Sequence, residues 1–335
     1  MSKRREIAAF LAAALLFLLL SWGAGALLRP NRTAYGSMWP AYLRETRDSA
    51  DVLFFGSSLV YCDIAPAWVW AESGLRSFVM AGPEQTIPLS YYYIREALRT
   101  QSPQIVMLEL TGMFYAQYQN YTRANVSYMP LSLNRIAATF TAAEPSLRFG
   151  LLYPLYDYHD RWTSVTADEL RFNIAPQEDP FAGYTLLTDE CDASTPYERD
   201  DLTAGSEVYR ENLRWLEKIR DYCAKQGSEL ALFIAPSVSR IPAAMLQTLR
   251  EDLSERGMSL TEFNEILPEL DIDDGSDWYD TLHFNVRGAE KFSRWLGRHY
   301  LAERTEARAD DGADALWSER LRALDEAAAA ADASA

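Results

Sequence analysis

The 335-residue chain is expected to fold as an α/β protein, a doubly wound domain on a parallel sheet of about five strands, carried by an N-terminal transmembrane helix. Three patterns predict this. Short apolar runs alternate with longer amphipathic segments on either side of one irregular stretch. Those runs are continuously apolar, the pattern of strands covered on both faces, as parallel strands are. Behind Lys3, Arg4 and Arg5, an uncharged segment over residues 7–28 is long enough at helical rise to cross a hydrocarbon core of roughly 30 Å.

Residues 1–6 carry the basic cluster, which places the N-terminus in the cytoplasm and the rest of the chain outside. Ala24-Gly25-Ala26 resembles a signal-peptidase site, so cleavage after Ala26 and secretion is the alternative to an uncleaved anchor. Residues 29–49, with Pro30, Gly36 and Pro40, read as a polar stalk. The domain over 50–302 then begins with a strand over 52–55, a helix over 65–73, a strand over 77–80, a helix over 88–100 and a strand over 105–110. Residues 113–204 are Tyr-rich, punctuated by proline and without a sustained period, and read as one large insertion. Alternation resumes with a helix over 207–226, a strand over 230–235, a helix over 243–255, a strand over 259–263 and a helix over 286–300. The layering implied is a flavodoxin-like three-layer sandwich. Residues 303–335 form an acidic, Ala-rich tail in which Leu316, Leu321 and Leu324 support a short helix with a frayed end.

The net charge of −16, with no Lys/Arg-rich stripe, argues against nucleic acid and against an anionic membrane face as partners. Cys62, Cys191 and Cys223 show no C-x-x-C spacing and cannot all pair within one chain; one bridge remains open, and each reads as a small buried apolar residue. Asp271, Asp273, Asp274 and Asp277 lack the spacing of a calcium loop and read as a solvated acidic turn. Neither a phosphate loop nor a dinucleotide fingerprint is present.

Two segments can carry chemistry. In doubly wound sheets ligands gather at the carboxyl ends of the strands, and Gly56-Ser57-Ser58 follows the first strand there. Either serine can serve as a helix cap, and either can be a nucleophile. In the loop before the last helix, Asp280 stands three residues before His283. A histidine acting as general base needs an acceptor on Nδ1 so that Nε2 faces the hydroxyl, and Asp-x-x-His in a turn supplies one. His299 lies on the last helix with no such partner. His159, Arg161 and Trp162, in the insertion, are candidates for substrate contact, and the Tyr-rich start of the insertion is a candidate platform for sugar rings. Tyr91, Tyr92 and Tyr93 read as helix packing.

Taken together, Gly56-Ser57-Ser58 and Asp280-x-x-His283 with the later Gly288 resemble the SGNH/GDSL hydrolase superfamily, over residues 51–110 and 230–300. The resemblance implies that Ser58 is the nucleophile, His283 the base and Asp280 its orienting acid, with the amides of Ser58 and Gly82 donating to the oxyanion. Ser57 stands where the family has Asp, and Met113 where it has the oxyanion-hole Asn. The anchor, the Gly-Ser-Ser block and the missing Asn look most like the membrane-tethered, extracytoplasmic branch. That branch includes proteins of teichoic acid D-alanylation and alginate-type O-acetylation. It implies a serine esterase or O-acyltransferase acting on cell-envelope polysaccharide beside a membrane-bound O-acyltransferase, with no cofactor and no metal. With a donor lost at Met113, the alternative is a weak or inactive SGNH-fold binding partner of such a system.

Overall fold

The structure, a computed structural model, describes residues 3–30, 38–175, 179–309 and 312–333. Five parallel strands form the main sheet: β1 Val52–Phe55, β2 Ser77–Val79, β3 Ile105–Glu109, β4 Glu229–Ile234 and β5 Leu260–Glu262. Their spatial order is β2-β1-β3-β4-β5, so the chain winds outward in both directions from β1 and β3. The register sets Leu53 beside Val106 and Leu108 beside Leu232. Successive side chains of a strand point to opposite faces. Accordingly Leu53, Phe55, Val106 and Leu108 join one core with Ile94, Leu216 and Leu249. Val52, Phe54, Ile105 and Met107 join a second core with Trp68, Ala289 and Phe292. Burial on both faces explains why the strands read as unbroken apolar runs.

The helices that fill the first core include Ile87–Ala97, Ser206–Gln226 and Ala243–Glu255; those of the second include Pro66–Ser73 and Val286–Trp295. The last continues into a π-helical turn, Leu296–Leu301, in which Gly297 packs directly on Val69. At the N-terminus Lys3–Leu27 is one helix, long and apolar enough to span a membrane or to act as a signal sequence.

Four expectations are revised. Residues 31–37 of the predicted stalk, with Gly36, lie outside the described residues, but Trp39–Tyr42 is a helical turn whose Trp39 and Tyr42 are buried. Trp39 meets Tyr93 edge to face at 5.1 Å and Tyr42 meets Phe78 at 5.2 Å, and the aromatic area outweighs the local Pro and Gly signals. The acidic tail holds a longer helix than the short one expected, Asp314–Asp332. It buries Trp317 and Leu324, stacks Trp317 on Trp70, and places Asp325 2.8 Å from the Trp68 indole nitrogen. The insertion is helical, with Thr122–Tyr128, Leu133–Thr141 and Ala167–Ile174 among its elements; each is too short to display a period. The acidic turn is only partly solvated, since Asp277 is buried and paired with Lys291 at 2.6 Å. All three cysteines are unpaired, with Cys62 and Cys223 buried.

Candidate active site

The apolar run of β1 ends at Gly56 because the backbone there turns through φ 147°. A Cβ at this position would stand 2.7 Å from both Glu109 Cβ and Val60 Cγ2, so only glycine fits. The next two residues then divide the available roles. Ser57 is buried and caps the short helix Ser58–Tyr61, its Oγ accepting from the Leu59 amide at 3.4 Å. Ser58 opens that helix and turns its hydroxyl toward the loop after β5.

That loop is shaped locally. Trp278 and Phe284 form an antiparallel bridge with their rings stacked at 4.2 Å, and the Tyr279 amide donates to the His283 carbonyl at 3.0 Å. Asp280 Oδ1 accepts the amides of Leu282 at 2.7 Å and His283 at 2.8 Å, which turns the carboxylate toward the imidazole. Asn285 then caps helix Val286–Trp295. Gly288 lets the loop lie against the helix, where a Cβ would meet Asp277 O and Phe284 Cδ1, each at 2.4 Å.

The two segments meet. His283 Nε2 lies 2.8 Å from Ser58 Oγ, and His283 Nδ1 lies 2.9 and 3.0 Å from the Asp280 oxygens. With Nδ1–H donated to the carboxylate, Nε2 is left as the acceptor for the serine proton. Burial opposes charge on Asp280, but its hydrogen bond to His283, the charge of that ring and the amides of Leu282 and His283 outweigh it. The carboxyl is held below its usual range. Asp280 is therefore ionised at neutral pH. Compared with protein-family models and with curated proteins, the chain matches none.

The other predicted residues fall elsewhere. Gly82 follows β2 beside the serine block, yet its amide donates to the Gly56 carbonyl at 3.1 Å and is not presented to an oxyanion. Met113 is fully buried in the first core, so its side chain leaves the site altogether. His159, Arg161 and Trp162 do not line the serine cleft. Arg161 donates to the Leu28 carbonyl at the end of the N-terminal helix, and Trp162 stands in solvent nearby.

What does line the cleft, of ~480 Å³, is the start of the insertion and a distant turn: Tyr115, Gln119, Asn120 and Arg199 join Ser58 and His283. Arg199 is buried, and its fork grips Asp201 at 2.8 and 2.6 Å. Burial works against its charge, but the bond to Asp201 keeps the guanidinium firmly protonated. The Tyr-rich start of the insertion is thus at the cleft as its sequence suggests, whereas Arg199 carries no local signal, because long-range packing brings it there. Asp63 is likewise hidden in the sequence: buried beneath the site, it accepts the Phe284 amide at 3.0 Å and pins the histidine loop to the serine helix. Burial pushes its carboxyl well above the usual range, despite that amide.

Glu109, at the end of β3 below Ser57, allows a stability test. Burial pushes its carboxyl up to about 7, against hydrogen bonds from Thr111, the charge of Arg199 and the nearness of Ser57. Its folded value exceeds the unfolded one of 4.5, so this group's contribution to stability is full below pH 4.5 and is lost as pH rises through about 7. Glu109→Gln should remove that loss, on the order of 3 kcal/mol by linkage. Thermal melts should show the variant gaining on the parent at pH 8 relative to pH 4. Parallel melting curves across that interval would show that Glu109 is not buried as an acid.

Proposed function

We propose that the protein is a membrane-anchored, extracytoplasmic SGNH-type serine esterase or O-acyltransferase of flavodoxin-like three-layer fold, acting on cell-envelope polysaccharide. The observation that carries this reading is the contact of Ser58 Oγ with His283 Nε2 at 2.8 Å, with Asp280 behind the ring. Ser58 Oγ attacks the ester carbon of the donor while its proton passes to His283 Nε2. The tetrahedral intermediate collapses to an acyl-enzyme, and the leaving oxygen takes the proton back from His283. An acceptor hydroxyl, from a sugar or from water, then gives its proton to the same nitrogen and attacks the acyl carbon, and Ser58 leaves, taking that proton back from His283. Aromatic and amide groups at the mouth, Tyr115, Tyr118, Gln119 and Asn120, suit a carbohydrate acceptor. The N-terminal helix would anchor this body outside the cell with its basic end in the cytoplasm, or release it if cleaved after Ala26.

A second reading has an observation of its own. With Met113 in the core and the Gly82 amide engaged, two expected oxyanion donors are absent, and each such donor is typically worth ~100–1000-fold in rate. A binding partner of a membrane-bound O-acyltransferase would tolerate that loss. A fluorophosphonate probe separates the two readings. Covalent labelling that vanishes in Ser58→Ala supports the enzyme, and no labelling of the folded protein supports the binding partner.

The buried cation in the cleft supplies a further test. If Arg199 faces the developing negative charge in place of the missing amides, Arg199→Ala should slow probe labelling by ~10–100-fold, the range expected for a charged hydrogen bond. Arg199→Lys should recover only part of it, because the ammonium cannot hold Asp201 through two parallel bonds. Unchanged labelling in Arg199→Ala would assign the pair to structure alone.

A further inference from the structure

The insertion carries a helix that is inside out. In Leu133–Thr141, Arg135, Ala138 and Thr139 are buried, while Leu133, Ile136 and Phe140, spaced i, i+3, i+7, face outward, Leu133 with 84 % of its surface exposed. A soluble domain places that stripe inside. The apolar face extends beyond this helix. The Arg148 guanidinium lies over the Phe140 ring at 5.9 Å, the adjacent Phe149 is 60 % exposed, and Tyr156 packs against it edge to face at 5.0 Å. Among the described residues, nine of the twelve large apolar side chains exposed outside the N-terminal helix lie between Leu131 and Ile174. Such concentration on one segment marks an interaction surface.

The surface is joined to the carboxyl end of the N-terminal helix. Gly25 lies directly on the backbone of Leu155, Asn173 Nδ2 donates to the carbonyls of Leu27 at 2.9 Å and Arg29 at 2.8 Å, and Arg161 Nη1 donates to Leu28 O at 2.7 Å. Its charge also differs from that of the whole chain. Against a net −16, residues 131–174 are close to balance, with Arg135, Arg148, Arg161 and Arg171 against Glu144, Asp157, Asp160, Asp168 and Glu169, a local net of −1. The repulsion that argued against an anionic membrane is therefore weak at this face, and apolar area has to carry the contact.

We propose that residues 131–174 form a second, interfacial membrane contact, seated in the outer leaflet at the boundary of headgroups and acyl chains. An apolar stripe with Tyr and Trp beside it, continuous with a spanning helix, is the chemistry such a boundary accepts. The body is then held to the bilayer at two points, and the serine cleft keeps a fixed attitude to the membrane. This inference rests on the anchor reading of the N-terminal helix.

The test uses the full chain in proteoliposomes of phosphatidylethanolamine and phosphatidylglycerol containing a phosphatidylcholine with a diazirine in its acyl chain. After illumination, mass spectrometry should find lipid adducts on peptides from both 7–28 and 131–174. The triple variant Leu133→Glu, Ile136→Glu, Phe140→Glu changes only exposed side chains. It should lose labelling of the insertion by at least severalfold while labelling of 7–28 is unchanged. Adducts on 7–28 alone, or insertion labelling unaffected by the triple variant, would overturn the proposal and leave the anchor standing; if adducts on the insertion are missing and sedimentation shows a dimer that the triple variant dissociates, the face belongs to a second copy. Absence of adducts on 7–28 as well would remove the anchor on which the proposal rests.

Discussion

His283→Ala is expected to lower esterase or transferase turnover by ~10⁴–10⁶-fold, and the double variant Ser58→Ala, His283→Ala to be no slower than either single one. The reason is the geometry. Ser58 Oγ has its base at 2.8 Å, and a hydroxyl without that acceptor is a weak nucleophile at neutral pH. Groups that act as one unit do not add, because removing either ends the shared step. Steady-state rates on an activated ester would measure all three variants. Losses that multiply in the double variant would mean that serine and histidine act independently, which a triad does not allow.

The parts of this site that could be read from the sequence are those built locally. Asp280 and His283 are three residues apart, and the same turn that presents the carboxylate to Nδ1 also binds it through the Leu282 and His283 amides. Gly56 was legible because a strand that stops at glycine must turn sharply. The five strands were legible because parallel strands buried on both faces cannot alternate. What escaped was set by contacts distant in sequence. Arg199 reaches the cleft from the far end of the insertion, and Asp63 matters only because Phe284 folds over it. Trp39 and Leu324 sit in segments whose composition signals solvent, and their burial is decided by partners some fifty residues or more away, Tyr93 for the first and the Trp68–Trp70 helix for the second. Met113 was legible only as the absence of an amide donor. Its position in the sequence does not fix where the side chain points, and the chain after β3 leads it into the first core. His159, Arg161 and Trp162 read as substrate contacts in one dimension but stand away from the cleft, with Arg161 bonded to the end of the N-terminal helix.

Asp280→Asn should preserve the fold and still cost about 10⁴-fold in turnover. The side chain is isosteric and partly open to solvent, so no buried charge or cavity is created. Its chemistry is inverted, however. An amide can present N–H to Nδ1, which selects the tautomer whose Nε2 carries a proton and cannot accept another from Ser58. The same geometry predicts the form of the pH profile. Asp280 is held below the usual carboxyl range, mainly by the His283 hydrogen bond and charge acting against its own burial, so it is already ionised through the whole acid limb. In the parent protein kcat/KM should then fall in acid with a slope of one, reporting a single proton gained by the free enzyme. A limb of slope two would mean that Asp280 and His283 protonate together and that the carboxylate is not the fixed partner the distances suggest. In Asp280→Asn the residual rate should rise with pH without recovering the parent's plateau, because deprotonation cannot restore the lost acceptor at Nδ1. If that variant retained the parent rate and profile, the Asp280 contact would be incidental, and the binding-partner reading would account better for the cleft.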